Sequence, residues 1–394
     1  MIVEPKVRGF ICTTAHPVGC EKHVLKQIEY VKSQPNIECP KRVLVIGCSS
    51  GYGLASRIAV AFGSGAATIG VAFERPAIGS RTATAGWYNT ASFEKFAMQD
   101  GIYAKSIMGD AFSQEIKDKT IELIKKDIGT VDLVIYSLAA PRRTAPNGVT
   151  YNSVLKPIGS DFSNKSIDMT TKSISNVTVT AATEDEINGT VKVMGGEDWL
   201  LWLRALSSAG VLAKGAKTVA YSYIGPKVTH AIYHEGTVGR AKLNLELNAS
   251  KITKEFSADD IKAYVSVNKA LVTQASSAIP VVPLYISILY KIMKQKDIHE
   301  DCIEQIVRLL KDKLYLPTPV LDEASRLRVD DLEMRADVQS LVDEAWALIN
   351  NENLKEFADI DGYWQAFYQL FGFGLAGVDY SADVETDVKI PSID

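Results

Sequence analysis

Runs of apolar residues alternate with amphipathic stretches through the middle of the chain. The runs are almost continuously hydrophobic, which is typical of strands buried on both faces of a sheet. We predict strands at 42–47, 67–73, 103–108, 132–139, 217–223 and 261–268, and helices at 54–63, 114–129 and 197–212. Because strands that alternate with helices pair in parallel through right-handed crossovers, the pattern predicts an α/β fold with a doubly wound parallel sheet.

Three regions depart from this alternation. Residues 1–41 precede the first strand as an N-terminal extension. Residues 145–190 are rich in Ser, Thr, Asn and Val in short alternating patches, which predicts an inserted β-hairpin or flap. Residues 295–394 are mostly helical, with the clearest helix at 329–349. No Pro/Gly-rich linker divides the strands, so we expect one domain over 1–394 that carries these additions.

The segment 278–290 is almost entirely apolar, and Pro280 and Pro283 interrupt it. It is too short to span a bilayer, so we expect no integral membrane segment. Two interpretations stay open at this point. The segment either enters a buried core helix or forms a wall of an apolar ligand pocket.

Composition and charge exclude several classes of function. Hydrophobic residues make up 46% and charged residues 23% of the 394 residues, as in ordinary globular proteins. The net charge of −4 gives no positive field for nucleic acid, so no nucleic-acid partner is expected. Five cysteines without a CxxC pair argue for a reducing compartment and against a zinc site. We therefore expect a cytoplasmic protein with no metal site.

A glycine-rich turn joins the first predicted strand to its helix. Gly47, Gly51 and Gly53 have the spacing G-x3-G-x-G. Glycine lets the backbone approach a pyrophosphate, which the free N–H groups of a helix N-terminus attract. Tight turns of this kind also need glycine for steric reasons alone. The context favours a dinucleotide site, and the spacing resembles the short-chain dehydrogenase/reductase superfamily.

Acidic residues follow two of the predicted strands. Glu74 follows the second, where a carboxylate can accept both ribose hydroxyls and repel a 2′-phosphate. Arg75 would instead attract that phosphate, and a solvated charge at a strand end is the simpler alternative for Glu74. Asp110 follows the third strand, where the adenine would lie, or serves only as a turn residue or helix cap.

Tyrosine and lysine recur in the segment 221–242. Tyr223 and Lys227 stand four apart, the spacing of a helical pair, but the intervening Gly-Pro disfavours a helix through both. Tyr233 and Lys242 stand nine apart, and nine helical residues turn through roughly 900°. The second pair can therefore converge only if Tyr233 lies in a turn before the helix that carries Lys242.

The sequence between Tyr233 and Lys242 permits such a turn. Gly236 and Gly239 can break the helix. Thr237 is then expected to cap the helix that follows.

Blocks along essentially the whole chain resemble the NADH-dependent trans-2-enoyl-CoA reductases and the V-type bacterial enoyl-acyl-carrier-protein reductases. They are the Tyr-x8-Lys pattern and the strings GCSSGYGLASR, TAGWYN, GDAFS, YSLAAPRR, KVMGGEDW, AYVSVNKALVTQASSAIPVVPLY and IHEDCIEQI. The resemblance implies a Rossmann-like fold of the short-chain reductase type, NADH as the cofactor and a monomeric enzyme. The substrate it implies is an enoyl-CoA or an enoyl group on acyl carrier protein.

The resemblance also implies site residues. Tyr233 would be the catalytic tyrosine, Lys242 its partner and a contact of the nicotinamide ribose, and Tyr223 a contact of the substrate carbonyl. The other cofactor-binding residues would be Gly47, Cys48, Ser49, Ser50, Gly51, Tyr52, Phe73, Glu74, Asp110, Ala111, Leu138, Ala139, Leu271, Val272 and Thr273. Arg240 stands where such enzymes often have another lysine.

The expected chemistry is reduction of the C2–C3 double bond. Hydride adds to C3 of the unsaturated thioester, and a tyrosine hydroxyl stabilises the enolate oxygen until C2 is protonated. A nearby ammonium can favour the charged form of that tyrosine. Three alternatives stay open: a carbonyl or hydroxyacyl reductase that uses Tyr223 and Lys227, a non-catalytic dinucleotide sensor, and a peripheral membrane protein that uses the segment 278–290.

Overall fold

The computed structural model describes residues 1–9, 11–168 and 171–393, and Met169 and Thr170 of the predicted flap lie outside the described residues. The strands are β1 (Val7–Arg8), β2 (Ile11–Cys12), β3 (Arg42–Ile46), β4 (Ala67–Ala72), β5 (Ala104–Met108), β6 (Val131–Tyr136), β7 (Arg142–Thr144), β8 (Thr150–Asn152), β9 (Phe162–Asp168), β10 (Ser173–Val179), β11 (Leu212–Ser222), β12 (Lys262–Val267) and β13 (Leu327–Arg328). The helices are α1 (Pro17–Ser33), α2 (Gly51–Ser64), α3 (Ala85–Gln99), α4 (Gln114–Asp127), α5 (Glu184–Met194), α6 (Glu197–Ser208), α7 (Lys227–His230), α8 (Thr237–Glu255), α9 (Gln274–Ser277), α10 (Val282–Gln295), α11 (Cys302–Leu309), α12 (Ala336–Leu348), α13 (Leu354–Phe357) and α14 (Ile360–Gln369).

Seven parallel strands form the central sheet, in the order β13-β12-β11-β6-β3-β4-β5. The chain moves outward from β3 through β4 to β5, then returns to β6 on the other side of β3. This reversal opens a crevice at the carboxyl ends of β3 and β6, where ligands of such sheets bind. The predicted doubly wound parallel α/β fold is confirmed.

The two faces of the sheet are covered by different helices. Val43 and Val45 of β3 pack with buried residues of α2 and α11, whereas Leu44 and Ile46 pack with buried residues of α6 and α8. Because successive side chains of a strand point to opposite faces, burial on both sides requires apolar residues at every position. The continuous apolar runs in the sequence have this cause.

The predicted strands and helices of the alternating region are present, with most ends displaced by a few residues, and α3 and β13 were not predicted. The helix predicted at 329–349 is wrong at its start, since α12 begins at Ala336. Two acidic side chains in the stretch before α12 accept hydrogen bonds from residues outside the predicted helix. Asp330 accepts hydrogen bonds from Arg328, and Glu333 accepts one from the amide of Ala270, which holds this stretch in turns.

The inserted region contains two antiparallel hairpins, β7–β8 and β9–β10. The prediction of a hairpin is confirmed, but the end of the predicted range is helical because Thr183 and Glu186 form a capping box that starts α5. Lys165 Nζ in β9 donates hydrogen bonds to the carbonyls of Trp346 and Ile349 at the end of α12. The hairpin is thereby held against the C-terminal helices.

The apolar segment 278–290 ends in α10, whose first eleven residues include Leu284, Ile288 and eight other buried side chains. It packs against α12 and α14 in a core cluster separate from those of the sheet faces. The core-helix interpretation is therefore confirmed. No helix among the described residues combines the length and the apolarity needed to cross a membrane.

Candidate active site

A cavity of about 1350 Å³ lies at the carboxyl edge of the sheet. It receives residues from the ends of β3, β4, β5, β6 and β11, from the loop after β12, and from α8 and α10. The polar crevice near the glycine turn is continuous with an apolar part beside α10. The cavity therefore joins the predicted dinucleotide site to the predicted tyrosines.

The glycine turn has no room for a side chain at Gly47 or Gly53. Gly47 has φ of 85°, and a Cβ on Gly53 would lie 1.8 Å from the carbonyl oxygen of Gly47. The steric explanation for these glycines therefore holds. In addition, the N-cap Ser50 makes no side-chain hydrogen bond to the first turn of α2, so the N–H groups of that turn remain available to an anion in the cavity.

Glu74 is held at the edge of the cavity. Its Oε1 accepts a hydrogen bond from the Ser49 hydroxyl at 2.6 Å, and a Cβ on Gly86 would lie 2.1 Å from the same oxygen. This fixed, half-buried carboxylate is more than a freely solvated charge at a strand end. Phe73 and Arg75 line the cavity beside it and are exposed.

The loop after β5 is braced from behind by an ion pair that sequence reasoning missed. Buried Lys117 Nζ donates hydrogen bonds to the carbonyls of Ala111 and Phe112 and lies 2.9 Å from Asp198 Oδ1. Burial raises the pKa of Asp198, against the opposing effect of Lys117. Asp110 lines the cavity and its carboxylate accepts from the Phe112 amide, so it is also a turn residue, whereas Ser113 caps α4.

The two candidate tyrosines come together at the cavity. Tyr223 follows β11, and Tyr233 lies in the turn between α7 and α8. Their ring centroids are 5.0 Å apart at an interplanar angle of 79°, and both rings line the cavity. Gly225, with φ of 73°, separates Tyr223 from Lys227, which is exposed, begins α7 and does not line the cavity. The prediction that Tyr223 and Lys227 do not share a helix is confirmed.

Glycine makes the turn before α8 possible. A Cβ on Gly239 would lie 1.7 Å from the carbonyl oxygen of His234, and Gly236 is close to two carbonyl groups. The predicted turn between Tyr233 and Lys242 is confirmed, but the predicted cap is wrong. Gly236 is the N-cap of α8, because the Thr237 hydroxyl donates to the carbonyl of Val154 instead.

Burial shifts the pKa values of both Lys242 and Tyr233. Lys242 lines the cavity, and its Nζ donates to the carbonyl of Tyr221 at 2.9 Å. Burial lowers the pKa of Lys242 to about 8. Burial also raises the pKa of Tyr233, so burial outweighs any effect of an ammonium and the phenol is neutral at pH 7. The Tyr233 hydroxyl has no side-chain hydrogen bond to any residue that the structure describes, which leaves its proton available to a ligand.

Most of the predicted cofactor-binding residues line the cavity, and two do not. The lining residues are Gly47, Ser49, Ser50, Gly51, Tyr52, Phe73, Glu74, Asp110, Ala111, Leu138, Ala139, Lys242, Leu271 and Thr273. Cys48 is buried with its Sγ 3.9 Å from Arg57 Nη1, behind the glycine turn. The side chain of Val272 packs in the core, and its amide N–H is not available to a ligand because it already donates to the Tyr290 hydroxyl.

Sequence reasoning also missed a carboxylate behind the tyrosines. Glu333 is fully buried and accepts hydrogen bonds from the hydroxyls of Tyr223 at 3.1 Å and Tyr285 at 2.5 Å and from the Ala270 amide at 2.7 Å. Its only signal in the sequence is an acidic residue in a stretch that looks like the surface of a helix. Within the described residues, no group of three or more His, Cys, Asp or Glu side chains is placed to hold a metal ion.

The other end of the cavity is apolar. Ala278, Ile279, Val282 and Ile286 line it, together with Leu370 and Phe371, which follow α14. The segment 278–290 thus forms a pocket wall as well as part of the core. Such a wall suits a hydrocarbon chain, since each buried methylene contributes about 0.8 kcal/mol.

Three family models match the chain. They are the catalytic region of trans-2-enoyl-CoA reductase over residues 81–315, the NAD(P)H binding domain of trans-2-enoyl-CoA reductase over 2–79, and the enoyl reductase FAD binding domain over 321–384. The chain is 56% identical over 394 residues to the trans-2-enoyl-CoA reductase [NADH] of Ruminiclostridium cellulolyticum, and 59% identical over 395 residues to the enoyl-[acyl-carrier-protein] reductase [NADH] of Flavobacterium johnsoniae, each match covering 100% of both chains. The crystal structure of Treponema denticola trans-2-enoyl-CoA reductase in complex with NAD superposes with a TM-score of 0.96 at 48% identity, covering 99% of this chain and 100% of that one.

The residues matched by the FAD binding model do not form a flavin site. Of residues 321–384, only Leu370 and Phe371 line the cavity, while Val338, Val342 and Phe367 pack into the core around α10. A planar ring system would have to displace this packing. The glycine turn, the free N-terminus of α2 and the fixed carboxylate of Glu74 do fit a nicotinamide dinucleotide.

Proposed function

The chain belongs to the trans-2-enoyl-CoA reductase family, and from this premise we propose that it reduces the C2–C3 double bond of trans-2-enoyl thioesters with NADH to give saturated acyl thioesters. The observation that carries the proposal is the neutral, unpartnered Tyr233 hydroxyl at the junction of the dinucleotide crevice and the apolar pocket. The substrate is an enoyl-CoA or an enoyl group on acyl carrier protein, since both present the same thioester. We further propose that the protein is cytoplasmic and works as a monomer whose 394 residues form one domain.

The residues of the cavity have distinct tasks in this reaction. NADH, when bound, supplies the hydride. Tyr233 donates its proton in a hydrogen bond to the thioester oxygen and stabilises the charge that develops there. Lys242, anchored through the carbonyl of Tyr221, binds the nicotinamide ribose and keeps a positive charge near that oxygen. Glu74 accepts from the adenosine ribose, and the residues of α10 hold the acyl chain away from water.

Replacing Tyr233 tests the proposal directly. Consumption of NADH is followed with crotonyl-CoA for the wild type, Tyr233→Phe and Lys227→Met. We expect Tyr233→Phe to lower kcat by about 10²–10³-fold, the usual cost of removing one donor to a developing oxyanion. Its NADH affinity, measured by fluorescence, stays near the wild-type value. Lys227→Met, an exposed position outside the cavity, retains wild-type rates.

The opposite results separate the alternatives. Full activity in Tyr233→Phe together with loss in Lys227→Met would support a carbonyl reductase based on Tyr223 and Lys227. A wild type that binds NADH but reduces neither crotonyl-CoA nor a longer enoyl thioester would be a dinucleotide sensor. Size-exclusion chromatography with light scattering tests whether the protein is a monomer in solution.

A further inference from the structure

Glu333 connects the substrate side of the cavity with its cofactor side. Its Oε1 accepts from the hydroxyls of Tyr223 and Tyr285, and its Oε2 accepts from the amide of Ala270. Tyr223 directly follows β11, whereas Ala270 lies in the loop after β12, whose Leu271 and Thr273 line the cofactor side. One carboxylate therefore fixes both walls relative to each other.

The geometry also decides where the proton of Tyr223 goes. A phenol has one hydroxyl proton, and Tyr223 donates it to Glu333. Tyr223 therefore has no proton left to donate to a thioester oxygen, although its ring packs edge-on against Tyr233. The hydroxyl of Tyr233 has no such acceptor among the residues that the structure describes.

Burial without charge compensation would make this arrangement costly. The side chain of Glu333 is 0% exposed, and the three donors around it take the place of water. Lys269, also buried, lies beside it and donates to the carbonyl of Ala270 at 3.1 Å. Gln339 adds a hydrogen bond from its Nε2 to the carbonyl of Glu333.

We propose that Glu333 is a positioning residue that assigns the two tyrosines their roles. By accepting the only hydroxyl proton of Tyr223, it holds that ring as a fixed wall and leaves Tyr233 as the tyrosine that donates to the thioester oxygen. The inference rests on the proposed function and departs from the expected contact between the Tyr223 hydroxyl and the substrate carbonyl. Glu333 itself touches neither substrate nor cofactor, since it does not line the cavity.

A double-mutant cycle tests this role. The variants are Glu333→Gln, Tyr223→Phe and the double variant, with Tyr285→Phe as the matched control. Tyr285→Phe removes a phenol from the same carboxylate oxygen, but its ring does not line the cavity. We expect Glu333→Gln to lower kcat/KM for crotonyl-CoA by about tenfold, the effect of one charge-assisted hydrogen bond. For Tyr285→Phe we expect kcat/KM to stay within about twofold of the wild-type value, because its ring does not line the cavity and the substitution is only weakly coupled to the site.

The decisive readout is the effect of Glu333→Gln in the Tyr223→Phe background. If Glu333 acts through the Tyr223 hydroxyl, the second substitution adds less than about twofold there. An equal loss in both backgrounds, or equal losses for Glu333→Gln and Tyr285→Phe, would show a merely structural role and overturn the inference. Glu333→Asp, which keeps the charge but shortens the side chain, provides the same cycle if Glu333→Gln does not fold.

The wild-type rate is measured first, because it separates this inference from the proposed function. A wild type inactive toward every enoyl thioester overturns the proposed function. An active wild type with an additive cycle overturns only the role of Glu333.

Discussion

Replacing Gly239 with alanine sets two effects of known sign against each other. Gly239 lies in the first turn of α8, where alanine is favoured over glycine by about 1 kcal/mol in a helix interior. However, the new Cβ would lie 1.7 Å from the carbonyl oxygen of His234, whereas an ordinary contact begins at 3.4 Å. The turn that carries Tyr233 must therefore move by about 1.7 Å, the shortfall between these two distances. Overpacking of this kind costs about 1–3 kcal/mol, so the clash outweighs the propensity.

The displacement should affect catalysis more than stability. Misplacing a reacting group by 1 Å can cost about 10²-fold in rate, and the Tyr233 ring moves with its turn. We expect Gly239→Ala to lower kcat for crotonyl-CoA by about that factor and to lower the free energy of unfolding by up to about 2 kcal/mol. Steady-state kinetics and urea unfolding measure the two effects.

Ser250→Ala is the matched control, because it also places alanine in α8 but on the exposed face. It should keep full activity and the same or slightly greater stability. A Gly239→Ala variant that is fully active and more stable than the wild type would refute the reasoning, since helix propensity would then dominate and the turn would not be tight.

Four further predictions concern Lys242, Glu74 and the apolar wall of the cavity. NADH affinity should fall as the pH rises through about 8, because burial lowers the pKa of Lys242 to about 8 and the neutral amine binds the ribose less well. Fluorescence titration should show no such fall in Lys242→Met. An identical fall in that variant would assign the pH dependence to another group. The lowered pKa of Lys242 also predicts that the free energy of unfolding rises between pH 8 and 10.5, because over this range the lysine of the unfolded chain still binds a proton that Lys242 in the folded chain has lost. Urea unfolding across this range should show a smaller rise in Lys242→Met. Glu74→Ala should lower the ratio of kcat/KM for NADH over NADPH by about tenfold, since a carboxylate no longer repels the 2′-phosphate, and an unchanged ratio would contradict the role of Glu74. Ile279→Phe should lower kcat/KM for a dodecenoyl thioester by about tenfold more than for crotonyl-CoA, because the larger side chain fills the apolar end of the cavity. Equal losses for the two substrates would place the acyl chain elsewhere.

The sheet and the glycine turn could be predicted from sequence because their causes are local. A strand buried on both faces must be apolar at every position, and a strand-to-helix turn in which a Cβ on Gly53 would lie 1.8 Å from a carbonyl oxygen must use glycine there. The turn between Tyr233 and Lys242 follows from the same kind of argument, since helical geometry forbids their convergence without a break. These constraints act between neighbours in the chain, so the sequence displays them.

Partners brought together from distant parts of the chain could not be predicted in this way. Tyr223 and Glu333 are 110 residues apart, and Lys117 and Asp198 are 81 apart. In the sequence, Glu333 looks like an exposed acid on a helix, but the start of the predicted helix, which contains it, proved to be a set of turns. The cap assigned to Thr237 failed for a related reason, because its hydroxyl found an acceptor 83 residues away at Val154.

The sequence by itself therefore determined the α/β layering, the phosphate turn and the family, since periodicity, steric need for glycine and long matching blocks are written along the chain. Only the tertiary structure decided which tyrosine keeps a free proton. That outcome depends on a buried carboxylate from the C-terminal segment, whose hydrogen bonds and desolvation arise only when the chain has folded.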